Sequence, residues 1–219
     1  MRVFGHRGCP ALAPENTLAA FEAAAEVLPC LELDVRRCGT GELVVFHDET
    51  LSRLTGTKRR VADTPLSELK MLTIGDSNES IPLLEDVFDA IPDSTCVNIE
   101  LKHAGMASDL KAVVADAPNE VLISSFERDA LGEVRAESPL PIAVLFSKWW
   151  NQSLRMADEL DCVAIHPHYD LLSRTRVAAA HDRGFEINAW TVPNRRVVRR
   201  LSEWGVDGVI VDDPKIVES

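Results

Sequence analysis

Cys162-Val163-Ala164-Ile165-His166, Phe185-Glu186-Ile187-Asn188-Ala189-Trp190 and Gly208-Val209-Ile210-Val211-Asp212 are three short, apolar, β-branched runs. Between them lie Ser173 to Arg183 and Asn194 to Trp204, both with helical spacing of apolar residues. Strands alternating with helices imply a parallel sheet, because parallel neighbours need crossover connections. The same grammar extends towards the N-terminus. Strand-like runs occur at Val3-Phe4-Gly5-His6, Leu31 to Val35, Cys96 to Leu101, Val121 to Phe126 and Ile142 to Phe146. That makes eight, enough to close a (β/α)8 TIM barrel in the α/β class, and the length is near the short end for that fold. Further helical patterns run over Ser108 to Ala117, Arg128 to Glu137 and Leu154 to Leu160. An earlier one carries Leu18, Phe21, Ala25 and Leu28, with Asn16 or Thr17 as N-cap.

A ninth run, Leu43-Val44-Val45-Phe46-His47, breaks the alternation. Residues 36–42 are too few for a helical crossover, and Gly39-Thr40-Gly41 is turn chemistry, so residues 31–48 read as a hairpin after the second strand. With Thr40-Gly41 as a two-residue loop, His47 falls opposite Asp34; a three-residue loop shifts the register by one. Residues 49–93 then form a short insertion before the third barrel strand, covering part of the barrel mouth. No linker divides residues 1–219, which read as a single domain.

The formal net charge is -12. Nucleic-acid binders cluster Lys and Arg to displace phosphate counterions, so a nucleic-acid partner is disfavoured, whereas a small anionic substrate needs only one or two local cations. No apolar run is long enough to span a membrane, and Met1-Arg2-Val3-Phe4 reads as a strand start and not a signal peptide. The expectation is a cytoplasmic protein without stable membrane insertion. Five cysteines, none spaced C-x-x-C, point to reduced, buried thiols and against disulfides.

In such barrels the chemistry lies at the C-terminal ends of the strands. The first strand ends in His6-Arg7-Gly8, the second carries Glu32-x-Asp34, the hairpin brings His47-Asp48, and the third carries Asn98-Ile99-Glu100-Leu101-Lys102. Residues two apart on a strand share a face. Two carboxylates inside an apolar strand are costly without a counter-charge, and a hard divalent cation resolves that cost through oxygen ligands. Two histidines beside a carboxylate triad suggest catalysis more than either histidine alone.

Taken in order, His6-Arg7-Gly8, Pro14-Glu15-Asn16-Thr17, Glu32-Leu33-Asp34-Val35, Val45-Phe46-His47-Asp48 and Asn98 to Lys102 resemble the motifs of the glycerophosphodiester phosphodiesterase family. Ser124-Ser125-Phe126, Ala189-Trp190-Thr191-Val192 and Val206 to Asp212 extend the resemblance over nearly the whole chain. It implies a phosphoric diester hydrolase acting on small glycerophosphodiesters. Glu32, Asp34 and Glu100 would hold one divalent cation, Mg²⁺ or Ca²⁺ or Mn²⁺. His6 and His47 would be the acid/base pair, and Arg7 and Lys102 would bind the phosphate. Trp190, inside a barrel strand, reads as a pocket wall. Pro193 departs from the family pattern by intervening before Asn194, which questions a polar role for that asparagine.

Three rivals are weighed. A phospholipase of the same superfamily should expose an apolar rim, and none is evident in this acidic chain. An amidohydrolase-type barrel could use His166-x-His168, but that family places its H-x-H on the first strand. A non-catalytic binding barrel has no need for two histidines beside three carboxylates. Trp149-Trp150 fits either a lid on the alcohol group or packing under a loop. Ser124-Ser125 fits strand-end hydrogen bonding, and the arginines of residues 195–200 fit a solvated helix face.

Overall fold

Strands β1 (Arg2–Gly5), β2 (Cys30–Arg37), β4 (Cys96–Leu101), β5 (Val121–Ser125), β6 (Ile142–Phe146), β7 (Ala164–Pro167), β8 (Glu186–Ala189) and β9 (Gly208–Val211) pair in parallel in the computed structural model, which describes residues 1–217. The β1–β2 pairing closes them into an eight-stranded barrel, and β3 (Leu43–Val45) adds to β2 in antiparallel fashion. Helices α1 (Leu18–Ala25), α4 (Leu84–Ala90), α5 (Ala107–Val114), α6 (Arg128–Glu137), α7 (Trp150–Glu159), α8 (Arg174–His181) and α9 (Arg195–Glu203) surround it. The TIM barrel read from the alternation is the fold observed.

Outward-facing Leu33, Val35, Ile99 and Leu101 join buried helix residues such as Phe21, Leu84 and Leu110 in the main core. The inward face is layered differently. Phe4, Cys30 and Ile210 form an apolar floor, and the next positions on the same face of β2 are Glu32 and Asp34. Register sets the layers: Cys30 pairs with Cys96, Glu32 with Asn98 and Asp34 with Glu100. The barrel interior is thus apolar below and acidic above.

Three expectations need correction. Cys30 and Cys96 form a disulfide, their Cα atoms 4.5 Å apart. The parallel register sets these two residues side by side although 66 positions separate them, a proximity invisible in Cys spacing. Cys9, Cys38 and Cys162 are buried free thiols, as anticipated. The hairpin uses the three-residue loop Gly39-Thr40-Gly41: Val35 pairs with Val45 and Arg36 with Val44, so His47 is not opposite Asp34 but one step further on. Gly39 docks so closely on the Thr64 backbone that a Cβ would lie 2.9 Å from its nitrogen, which draws Gly39 out of the ladder, and Gly41 closes the loop at φ 108°. Finally, α4 belongs to the barrel as the crossover from the hairpin to β4, packing Leu84 and Val87 into the main core. The insertion proper carries α2 (Ser52–Thr55), a 3-10 turn (Val61–Asp63), α3 (Leu66–Leu69) and a small core of its own, including Phe46, Leu51, Leu69 and Ile81.

Candidate active site

His6 begins a single 3-10 turn at the end of β1, and Arg7 within it is left-handed, at φ 51° and ψ 31°. Such a backbone is costly for arginine and persists where surrounding contacts enforce it. Here they do: the Arg7 backbone N–H donates to Glu32 Oε2 at 2.9 Å, and Gly8 lies against α1 so tightly that a Cβ would meet Ala20 Cβ at 2.7 Å. The turn thereby aims both His6 and the Arg7 side chain into the barrel mouth. A cavity of about 170 Å³ opens there, lined by His6, Arg7, Glu32, His47, Glu100 and Lys102, with Trp190 and Phe126 among its walls.

Glu32, Asp34 and Glu100 are all buried, and one carboxylate oxygen of each lies within 4.8 Å of the others. Lys102 reaches back over them, its Nζ 2.7 Å from Asp34 Oδ1 and in contact with Glu100. Arg7 Nε lies 3.2 Å from Asp34 Oδ2, and Asn16 Nδ2 donates to that same oxygen at 2.8 Å. Asp34 is thus surrounded by cations and donors, which hold it ionised well below the usual carboxylate range despite its burial. Glu32 has far fewer partners. Burial, then the charges of Asp34 and Glu100, push its pKa up to about 7, and burial and the Asp34 charge raise Glu100 as well. Three buried carboxylates served incompletely by two cations are a donor set short of positive charge. Their all-oxygen chemistry suits a hard divalent cation, and they are the group of acidic side chains, among the described residues, that could hold one.

Each histidine is oriented by a carboxylate. His6 Nδ1 donates to Asp212 Oδ1 at 2.6 Å, and His47 Nδ1 to Asp48 Oδ1 at 2.7 Å, leaving Nε2 of each ring as the nitrogen for the cavity. Burial disfavours charge on both rings. For His6 the Asp212 hydrogen bond and the Glu32 charge outweigh it, and the pKa is raised; for His47 burial prevails, aided by Lys102 and Arg7, and the pKa is lowered. Asp48 is itself held by Arg53, whose Nε donates at 2.6 Å, and the same guanidinium forks onto both oxygens of Glu15 at 2.8 and 2.7 Å. Glu15 in turn accepts from Arg7 Nη1 at 2.8 Å. A continuous chain of ion pairs, Arg7–Glu15–Arg53–Asp48–His47, encircles one side of the mouth.

The structure therefore gathers all eight residues singled out in the sequence at one cavity or its edge. The supporting residues Asp212, Asp48, Glu15 and Asn16 lay inside motifs already quoted, but their roles emerge only from geometry. Arg53, in the polar insertion, carried no signal. Asn16 is not the N-cap of α1; Thr17 is, accepting from Ala20 N at 3.2 Å, which frees Asn16 for Asp34. Asn194 caps α9 by accepting from Val197 N, a structural role. His166 is enclosed, its Nε2 beside Asn188 Nδ2 at 3.0 Å and its pKa driven down to about 3 by burial and then Arg2, and among the described residues it belongs to no group of side chains that could hold a metal. Ser124 and Ser125 make strand-end hydrogen bonds, to Asn98 and Leu101. Trp150 packs on Phe146, but Trp149 is 73% and Phe126 44% exposed. These two aromatics border a groove of about 280 Å³ that shares Phe126 and Leu145 with the cavity at the barrel mouth, so the rim is less polar than composition suggested. No helix among the described residues is long and apolar enough to cross a membrane.

Comparison with known proteins places this architecture in a phosphodiesterase class. The model of the glycerophosphoryl diester phosphodiesterase family matches residues 6–216. A glycerophosphodiester phosphodiesterase of Caldanaerobacter subterraneus is 35% identical, over 97% of this chain and 94% of that protein. A phosphodiesterase of Oleispira antarctica, solved with the product sn-glycerol-3-phosphate, superposes with a TM-score of 0.93 at 29% identity, covering 98% of this chain and 94% of that one. A Thermotoga maritima glycerophosphodiester phosphodiesterase superposes at 0.87 with 29% identity, covering 98% and 96%. The chain belongs to the glycerophosphoryl diester phosphodiesterase family and is an enzyme of that class.

Proposed function

We propose that this chain hydrolyses small glycerophosphodiesters to a glycerol phosphate and an alcohol, with one divalent cation held by Glu32, Asp34 and Glu100. The observation that carries the proposal is the convergence of two carboxylate-oriented histidines and a cation-deficient carboxylate trio on one cavity. Bound there, Mg²⁺, Ca²⁺ or Mn²⁺ would neutralise charge building on the phosphoryl oxygens.

The remaining chemistry falls to side chains. Arg7, fixed by its own turn and by Glu15, offers its guanidinium to a phosphoryl oxygen, and Lys102 adds a second positive charge at the cavity wall. His6, with its proton on Nδ1 towards Asp212, presents a free Nε2 lone pair and removes the proton of the attacking hydroxyl, from water or from the neighbouring glycerol hydroxyl. The new P–O bond forms as the bond to the departing alcohol breaks, and His47 Nε2 protonates that oxygen. In the glycerol-hydroxyl route a cyclic phosphate results, which water opens with the histidines exchanging roles. Taken alone, the pKa ordering favours the opposite roles, with His6 protonated and His47 neutral. The Glu32 charge that helps raise His6 is a charge a bound cation would neutralise, so the ordering belongs to the metal-free protein and the roles are assigned by position.

The test is release of glycerol phosphate and alcohol from a panel of glycerophosphodiesters carrying choline, ethanolamine or glycerol, with and without added cation. Turnover of none of them under any cation would refute the proposal. The aromatic groove beside Phe126 favours a second reading, a lipid diester as substrate. A lysophospholipid turned over faster than its deacylated counterpart would establish it.

A further inference from the structure

Although the chain is strongly acidic, one flank of the mouth is basic. A cavity of about 420 Å³ lies between the ends of β2 and β4 and the insertion, lined by Arg36, Arg37, Arg60, Lys102 and His103, with Glu49 as the one carboxylate in its wall. Lys102 also lines the catalytic cavity, so the two share a wall. Arg60 also borders a neighbouring hollow lined by Lys58, Arg59 and Asp63, where Arg59 is paired with Glu68.

Most of these cations are already engaged. Arg37 is tied to Gly41, Gly105 and Asp109, Lys102 lies on Asp34 and Glu100, and both ring nitrogens of His103 face backbone groups. Arg36 and Arg60 are different. Arg36 follows Asp34 by two on the same face of β2 and donates its Nε to the His47 carbonyl at 2.9 Å. Among the described residues, neither of its two Nη groups has an acceptor. Among the described residues, the Arg60 side chain meets only Glu49, in a pair whose side chains are 57% and 63% exposed, and such pairs are weak enough to be exchanged for a better anion. A planar guanidinium with its outer edge free, beside a second exchangeable arginine, matches the two-oxygen face of a phosphate.

We infer that this cavity binds a second phosphate, carried on the departing alcohol of the substrate. Arg36 grips the carbonyl of His47, which places the cavity on the leaving-group side. That step rests on the acid role given to His47 under the proposed function. The preferred substrates are therefore glycerophosphodiesters whose alcohol bears a phosphate, and Arg36 and Arg60 are specificity residues.

The test compares glycerophosphoglycerol with the same diester phosphorylated on the far hydroxyl of the leaving glycerol, at low ionic strength. The readout is the ratio of the two kcat/KM values, in which any loss common to both substrates, such as disturbance of His47 in an Arg36 variant, cancels. Wild type should favour the phosphorylated diester by about tenfold, the usual scale for charged hydrogen bonds. Arg36→Gln and Arg60→Gln should each bring the ratio most of the way to one, Glu49→Gln should raise it, and molar salt should flatten it. A wild-type ratio near one, or a ratio unmoved by both arginine variants, overturns the inference. Turnover of neither diester would instead strike the proposed function. In that event calorimetric titration with glycerol 1,3-bisphosphate decides: weaker binding to Arg60→Gln than to wild type supports the site, and equal binding overturns it.

Discussion

His6 and Asp212 stand 206 residues apart in the chain, yet Nδ1 of one lies 2.6 Å from Oδ1 of the other. The parallel pairing of β1 with β9 carries both past their strand ends side by side. Asp212 fixes the tautomer and angle of the ring and supports its positive form. Asp212→Asn should lower kcat by about 10² to 10⁴, the range for a lost acid/base group or its orienting carboxylate. It also removes the contact that raises the His6 pKa. With His6 as base, the acidic limb of the kcat/KM profile should move to lower pH even as the plateau drops. A pH-rate profile of the variant with an unmoved acidic limb would contradict the pairing.

Among the described residues, Arg53 is the one side chain touching the carboxylates behind both Arg7 and His47. It is nearly half exposed, so its removal should barely change the melting temperature. Arg53→Ala should cut kcat by about tenfold to a hundredfold with a smaller change in KM, through misplacement of two groups at once. Arg53→Lys keeps the charge and loses the fork, and should recover little. Its sharpest signature is on His47. Asp48, held down to about 2 chiefly by Arg53, loses that partner and binds His47 more strongly, so the basic limb of the profile should shift upward.

The Glu32 pKa of about 7, raised from an ordinary 4.5, fixes a sign for metal binding. Between those values the native state holds a proton that the unfolded chain has released. Stability of the metal-free protein should therefore fall as pH rises through that window. A cation must displace that proton, so its Kd should tighten by about tenfold per pH unit up to pH 7 and level off above. Titration calorimetry in buffers of different ionisation enthalpy should record proton release at pH 6 and almost none at pH 8. Chelation should abolish turnover, and at a hundredfold excess over Kd the returning metal should add about 2.7 kcal/mol of stability.

A departing alkoxide needs a proton, and a nitrophenolate hardly does. His47→Ala should lose about 10² to 10⁴ in kcat/KM on a choline diester and far less on a p-nitrophenyl diester, whereas His6→Ala should lose heavily on both. The reverse pattern would exchange the two roles, as the metal-free pKa ordering suggests.

The Cys30–Cys96 bridge sits two positions below Glu32 on the inward face of β2. Non-reduced protein should be lighter by two hydrogens than reduced protein. Cys96→Ala should cost about 2–4 kcal/mol, read as a lower denaturation midpoint, and should leave metal affinity nearly unchanged.

What could be read in the sequence divides along a physical line. Periodicity marks strands and helices because burial is local, and strand-end polar residues such as His6, Glu32 and Lys102 stand out against apolar runs. Long-range pairings leave no such mark. Cys30 meets Cys96, and His6 meets Asp212, only through a closed parallel register. The hairpin slip turned on Gly39 touching Thr64, a contact with a segment whose path no local pattern reveals. Arg53 was hidden for the opposite reason, because a polar insertion contains many charged residues and only geometry separates the one that bridges.

Lys102 gives the apoprotein a resident counter-ion. Its ammonium rests on Asp34 and Glu100, so the acidic trio is partly neutralised within the folded barrel. Binding of the proposed divalent cation would then exchange one cation for another within a finished barrel. Under the proposed function, such a barrel would fold before its metal arrives and gain activity when a divalent cation is supplied, without resynthesis.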